Sequence, residues 1–157
     1  MEFLQSPPVT RRRIMALWLP RLPTDRLRRK TGIGAAPDKT PVVLSLKDGG
    51  ARIVYALDIN AARAGLKVGQ ALASARAVVN AVHVVEADLP ADRAMLNAIA
   101  DWCDRYSPFV ALDAPHGLLI DITGVDHLFG GEQAMLDTIR RAFRDQGFVC
   151  CGAIAGT

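Results

Sequence analysis

Residues 106–124, YSPFVALDAPHGLLIDITG, constrain this chain more than any other stretch. Two apolar runs, 109–112 and 118–122, flank the centre Asp113-Ala-Pro-His-Gly117, which is rich in turn formers. That pattern predicts a β-hairpin, with Pro115 fixing one φ and Gly117 supplying a positive one. Nearly everything else reads as elements packed around it.

Ahead of the hairpin, the apolar run 14–19 follows three arginines and fits a central strand covered on both faces. Pro20 and Pro23 end it, since neither can donate a ladder hydrogen bond. Thr24 and Asp25 offer caps for a short helix, 26–30, stopped near Gly32. Runs 41–46 and 52–57 read as strands joined by Lys47-Asp48-Gly49-Gly50, a strong hairpin turn. A short helix, 59–64, closed by Gly65, an Ala-rich helix, 70–79, and a strand, 82–85, complete this half.

The second half is more regular. Asp88 can cap a helix with Pro90 in its first turn, and Met95, Ile99, Trp102 and Tyr106 fall on one helical face. Past the hairpin, a helix over 132–146 aligns Leu136, Ile139 and Phe143. Arg140, Arg141 and Arg144 lie near its C-terminal end, where cations suit the dipole. A last strand spans 148–154. Residues 1–10 read as a disordered leader. With residues 21–80 set aside as a small insert, 11–20 and 81–157 give the order βαββαβ. That order is the ferredoxin-like α/β (α+β) arrangement: an antiparallel sheet with two helices on one face.

Charge separates these parts. Residues 1–80 hold 14 Lys/Arg against 5 Asp/Glu, and residues 81–157 hold 5 against 11, so +9 and −6 sum to the net +3. A basic half joined to an acidic one points to a polyanion partner for the first. No apolar run approaches the roughly 20 residues that span a bilayer, and no signal-peptide pattern is visible, so a cytoplasmic location is expected. Cys103, Cys150 and Cys151 lack metal-ligand spacing and read as buried, reduced thiols. His83 and His127 show no ligand spacing either.

Several local motifs are specific. Asp121-Ile-Thr-Gly124 resembles the segment that ends the central palm hairpin of Y-family translesion DNA polymerases, and Tyr106-Ser-Pro108 resembles the one preceding it. Residues 62–71, ARAGLKVGQA, resemble their fingers segment, and Gly152-Ala-Ile-Ala155 their small-residue palm strand. The resemblance covers about residues 11–157 and implies a ferredoxin-like palm interrupted after its first strand by a basic fingers module. Such polymerases hold two Mg²⁺ ions on carboxylates from the first strand and the hairpin. Trp18 and Pro20 stand where the first strand's aspartates belong. Counting from either end of the hairpin puts His116 and Gly117 at its Asp-Glu, and Ile59 and Ala62 replace the fingers residues that meet the triphosphate. None of these is a ligand suited to a hard cation.

Within the family, Ala16-Leu17-Trp18-Leu19-Pro20-Arg21, Ala100-Asp101-Trp102-Cys103-Asp104-Arg105-Tyr106 and His127-Leu-Phe-Gly-Gly131 resemble the ImuB-type branch. The resemblance implies a catalytically inactive scaffold in damage-induced mutagenesis, with no catalytic residue, metal or cofactor. Implied partners are primer-template DNA, the sliding clamp, an error-prone replicative-type polymerase and an ImuA-type protein, the protein contacts lying mostly beyond the equivalent of residue 157. Arg21, Arg26, Arg28, Arg29, Lys30, Arg63, Lys67 and Arg76 are the DNA-backbone candidates, by phosphate contact, since no aromatics are interleaved. The competing expectation is an active Mg²⁺-dependent nucleotidyltransferase using displaced carboxylates such as Asp113 and Asp121, with Asp126 nearby. At the turn tip His116 is expected to face solvent. Trp18 is expected to fill space left by the lost metals and nucleotide.

Overall fold

In the computed structural model, which describes residues 11–35 and 38–157, the first strand is β1 (Arg13–Trp18). Its side chains alternate. Met15 and Leu17 are buried under helices, while Ala16 and Trp18 point to solvent. β1 is therefore central in the hydrogen-bond ladder but covered on one face, not both as expected.

β1 lies between β6 (Gly117–Asp121) and β7 (Cys151–Gly156), and β5 (Val110–Asp113) closes the edge beyond β6. All three pairings are antiparallel and the order is β5-β6-β1-β7, the ferredoxin-like topology the element order predicts. Helices α4 (Leu89–Cys103) and α5 (Glu132–Asp145) cover the inner face with Leu96, Ile99, Met135, Ile139 and Phe143. As the sequence predicts, the Asp88 side chain accepts from Ala91 N–H and Pro90 sits in the first turn of α4. Arg13 ties β1 to α5 through Glu132, Nε to Oε1 at 2.6 Å.

A second sheet holds β2 (Val42–Asp48), β3 (Ala51–Leu57) and β4 (His83–Glu86) in the order β3-β2-β4. β2 and β3 form the hairpin expected, with Gly49 and Gly50 at φ +53° and +89°, as a tight two-residue turn requires. β4 pairs with β2 in parallel. The small sheet thus runs through Glu86, past the expected edge of the insert at residue 80. Parallel neighbours need a long crossover, which α2 (Ile59–Arg63) and α3 (Leu72–Val78) supply. β2 is buried on both faces. Val43 packs toward α2 and α3, and Val42 and Leu44 pack beside Leu27 of α1 (Leu22–Thr31).

Three local expectations change. α1 starts at Leu22, four residues before the expected start, because Pro23 sits in its first turn, where a missing N–H costs nothing. Thr24 and Asp25 are inside the helix, and neither caps it. The last strand begins at Cys151, not residue 148, because Val149 N–H is taken by buried Asp25 at 2.9 Å. The leader, 1–10, lies outside the described residues.

Candidate functional site at the hairpin tip

Register brings the sequence-flagged positions together. Trp18 lies opposite Gly117 on one side and Cys151 on the other. The next residue, Leu19, donates its N–H to the His116 carbonyl at 2.8 Å, and Pro20 follows. The end of β1 and the tip of the β5–β6 hairpin therefore form one locus of Trp18, Pro20, His116 and Gly117. Ile59 and Ala62 sit on α2 of the small sheet's unit, both half-buried.

This locus has little to offer a cation. Gly117 has no positive φ, contrary to the turn expectation; the reversal occupies Ala114–His116 and contains a cis Ala114–Pro115 bond. What requires glycine at 117 is close approach, since a Cβ there would lie 2.7 Å from the Asp113 carbonyl oxygen. Trp18 is 56% exposed, so it fills no internal space. The indole, a glycine and a proline supply no side-chain oxygen ligand. His116 alone carries a metal-binding atom, and Mg²⁺ favours oxygen. The residues at the locus do not fit the two-Mg²⁺ arrangement.

His116 also departs from expectation by turning inward. It is half-buried, and its Nε2 and the Oδ2 of Asp92 are both buried with no hydrogen-bond partner among the described residues. Asp92 stands in the first turn of α4, and its Oδ1 receives Arg26 Nε at 2.6 Å. Both side chains of that pair are nearly inaccessible, at 9% and 5%. Burial lowers the His116 pKa, and the Asp92 charge partly restores it. Burial raises Asp92, against the opposing pull of Arg26.

A pH dependence follows. A base whose folded pKa is depressed contributes stability fully present above its unfolded value near 6.5, and lost as pH falls through the folded value. Stability should therefore drop as pH is lowered below about 6.5, and His116→Gln should flatten that slope. Buried Asp92 and Asp25, both raised chiefly by burial, act with opposite sign in the carboxylate range. Urea midpoints measured across the histidine window isolate His116; equal slopes in wild type and variant would contradict the assignment.

The displaced carboxylates do not gather. Asp113 pairs with Gly117 at the tip, whereas Asp121 ends β6 four residues away, about 13 Å at ~3.3 Å per residue. Asp121 instead bonds to Thr123, whose hydroxyl first and N–H second, the latter donating at 3.0 Å, lower its pKa. Asp126 opens a 3₁₀ turn, Asp126–Phe129. Among the described residues, no three His, Cys, Asp or Glu side chains converge as a metal site.

The eight basic candidates divide. Arg26 is buried with Asp92. Arg28 donates to Asp25 at 2.7 Å and to the Gly147 carbonyl at 2.8 Å, and Arg29 lies 4.8 Å over the Phe148 ring. Arg26 and Arg28 hold α1 against the larger unit and are not a free basic surface, whereas Arg29 stacks on Phe148 and stays exposed. Lys30, Arg63, Lys67 and Arg76 are exposed and Arg21 is half-exposed. Asp92, unflagged in the sequence, and Asp25, read there only as a cap, are the partners that redirect Arg26 and Arg28.

The cysteines also divide. Cys103 and Cys150 are buried and pushed up to about 12, while Cys151 is exposed beside Trp18. This corrects the expectation of three buried thiols. A native thiol assay should titrate one rapidly reacting group and the denatured chain three; fast reaction of all three in the native protein would contradict the burial.

A family model described as the impB/mucB/samB family (IMS) matches residues 34–157. Protein ImuB of Caulobacter vibrioides, in strains NA1000/CB15N and ATCC 19089, is 50% identical over 94 residues, covering 59% of this chain and 20% of the relative. The chain thus spans about a fifth of these relatives' length. A post-insertion binary complex of Dbh DNA polymerase has a TM-score of 0.77 at 13% identity, covering 91% of this chain and 42% of that one. DinB from Sulfolobus solfataricus has a TM-score of 0.75 at 14% identity with the same coverage. Among the described residues no helix is long and apolar enough to cross a membrane.

Proposed function

Because the chain belongs to the impB/mucB/samB family, we propose that it is the palm-and-fingers part of a polymerase-like protein that associates with DNA without catalysing nucleotide transfer. The observation carrying this reading is the state of the hairpin tip. Trp18 pairs with Gly117 where the end of β1 meets the tip, and Trp18, Pro20, His116 and Gly117, the positions at which the family resemblance implies carboxylates, bring no side-chain oxygen there. Two-metal phosphoryl transfer needs oxygen ligands on both strands, so this locus lacks the means to align a triphosphate and a primer hydroxyl.

The likeness to Protein ImuB supports a role in damage-induced translesion synthesis, as a scaffold bringing an active error-prone polymerase to the sliding clamp together with an ImuA-type partner. The exposed cations Lys30, Arg63, Lys67 and Arg76, with Arg21, would hold primer-template DNA by its phosphates.

Primer extension by the intact gene product tests the first half. No incorporation is expected with Mg²⁺ or Mn²⁺, and metal-dependent extension would restore the active-transferase reading. Anisotropy of a labelled primer-template between about 50 and 200 mM salt tests the second. Affinity should fall steeply with salt, and Arg63→Ala with Lys67→Ala should reduce the logarithmic slope by about 2. A flat salt response would remove the DNA contact.

A further inference from the structure

The helical side of the larger unit carries a cleft unrelated to the hairpin tip. It has a volume of about 160 Å³ and lies between α4, α5 and the end of α1. Buried Ile99, Phe143 and Phe148 line its interior, with Trp102 half-buried at one wall. Trp102 meets Phe143 edge to face at 5.4 Å between centroids, so that wall is rigid.

Two guanidinium groups are held by aromatic faces here, Arg29 lining the cleft itself and Arg105 stacked on its wall residue Trp102. Arg29 lies 4.8 Å over Phe148, and Arg105 lies 4.5 Å over Trp102. Arg29 Nη1 reaches Gln146 Oε1 only at 3.4 Å, and Arg105 Nε donates to the Trp102 carbonyl at 3.0 Å. Among the described residues neither has a carboxylate within 4.0 Å, although Asp101, Asp104 and Asp145 lie on or beside the same helices. No carboxylate lines the cleft. Stacking restricts a guanidinium yet leaves most of its five donors at the ring edge, preorganised for a carboxylate fork.

We propose that this cleft docks an acidic segment of a partner protein, with one large apolar side chain entering the cleft and flanking carboxylates pairing with Arg29 and Arg105. The volume decides between ligand classes. It falls below the ~300 Å³ at which pockets for drug-sized molecules begin, and suits one anchoring side chain. A flipped nucleobase also has an apolar face and a nearby anion. Its polar edges would be buried against hydrocarbon, with Gln146 and Arg29 the only polar side chains of the lining and the Gln146 oxygen the one side-chain acceptor, a costly arrangement. Aromatic walls with arginine at the rim are the composition that concentrates binding energy at protein interfaces. Arg29, a DNA candidate from sequence, is reassigned to this role.

The chain has two tryptophans, so Trp18→Phe leaves Trp102 as the sole reporter in the cleft. The probe is the blocked hexapeptide Asp-Glu-Leu-Phe-Asp-Glu, with one control peptide carrying Ser-Ser at its centre and another carrying amides for its carboxylates. Saturable change in Trp102 emission is expected with the probe alone. Arg29→Gln should weaken it about tenfold or more, and Ala98→Glu, an exposed cleft position, should abolish it. An unmoved Trp102, equal response to either control, or indifference to Arg29→Gln and Ala98→Glu would each overturn the proposal. So would a response to oligothymidylate matching that to the peptide, which would assign the cleft to nucleic acid.

Discussion

Alanine at Asp92 is expected to lower the unfolding free energy by about 3–5 kcal/mol, because it strands the buried Arg26 guanidinium without a counter-ion. The pair spans α1 and α4, 66 residues apart in sequence, and its Nε–Oδ1 contact of 2.6 Å lies beneath both helices. Mass balance with water is unfavourable for either ion alone, so the loss comes from the survivor more than from the missing attraction. Arg26→Met should cost a similar amount. The pair Arg26→Met with Asp92→Leu should recover most of it, since well-packed hydrocarbon removes both desolvation penalties. In urea, at about 1–3 kcal/mol per molar, each single variant should shift the midpoint by at least about 1 M. Single-variant losses below about 1 kcal/mol would mean that water reaches the pair.

A carboxylate side chain placed at residue 117 of the hairpin tip is expected to damage the fold. For Gly117→Glu, the new Cβ would meet the Asp113 carbonyl oxygen at 2.7 Å, and a backbone atom cannot rotate away. The hairpin edge must shift, at about 1–3 kcal/mol. Added Mg²⁺ should not raise the variant's melting temperature, because a ligand stabilises only through a site it occupies. His116→Asp, by contrast, meets no such barrier from the backbone and should fold. A neutral Gly117→Glu that gains stability with Mg²⁺ would show the tip still able to take its metals.

Much of the fold was legible because it rests on local rules. The β5–β6 hairpin, the Gly49-Gly50 turn, the Asp88 cap and the apolar stripe of α5 each follow from neighbours a few residues apart. Their order then leaves few topologies, and ferredoxin-like is the one observed. That Trp18 and the hairpin tip lie together was legible as well, since strand pairing carries a count made along the chain into space.

Side-chain destinations were not legible. Asp92 reads as an ordinary acidic residue in the first turn of a helix, and nothing near it in sequence announces Arg26 or His116. Arg26, Arg28 and Arg29 read as a basic surface, and Arg26 and Arg28 became anchors when α1 packed on the larger unit, leaving Arg29 exposed over Phe148.

What the sequence by itself determined was the element order and the place of the hairpin and its turn, properties of local pattern and spacing. Only the tertiary structure decided which charges are free. Whether an arginine meets solvent, a carboxylate or an aromatic ring depends on which distant element desolvates it, and desolvation is a property of the assembled fold.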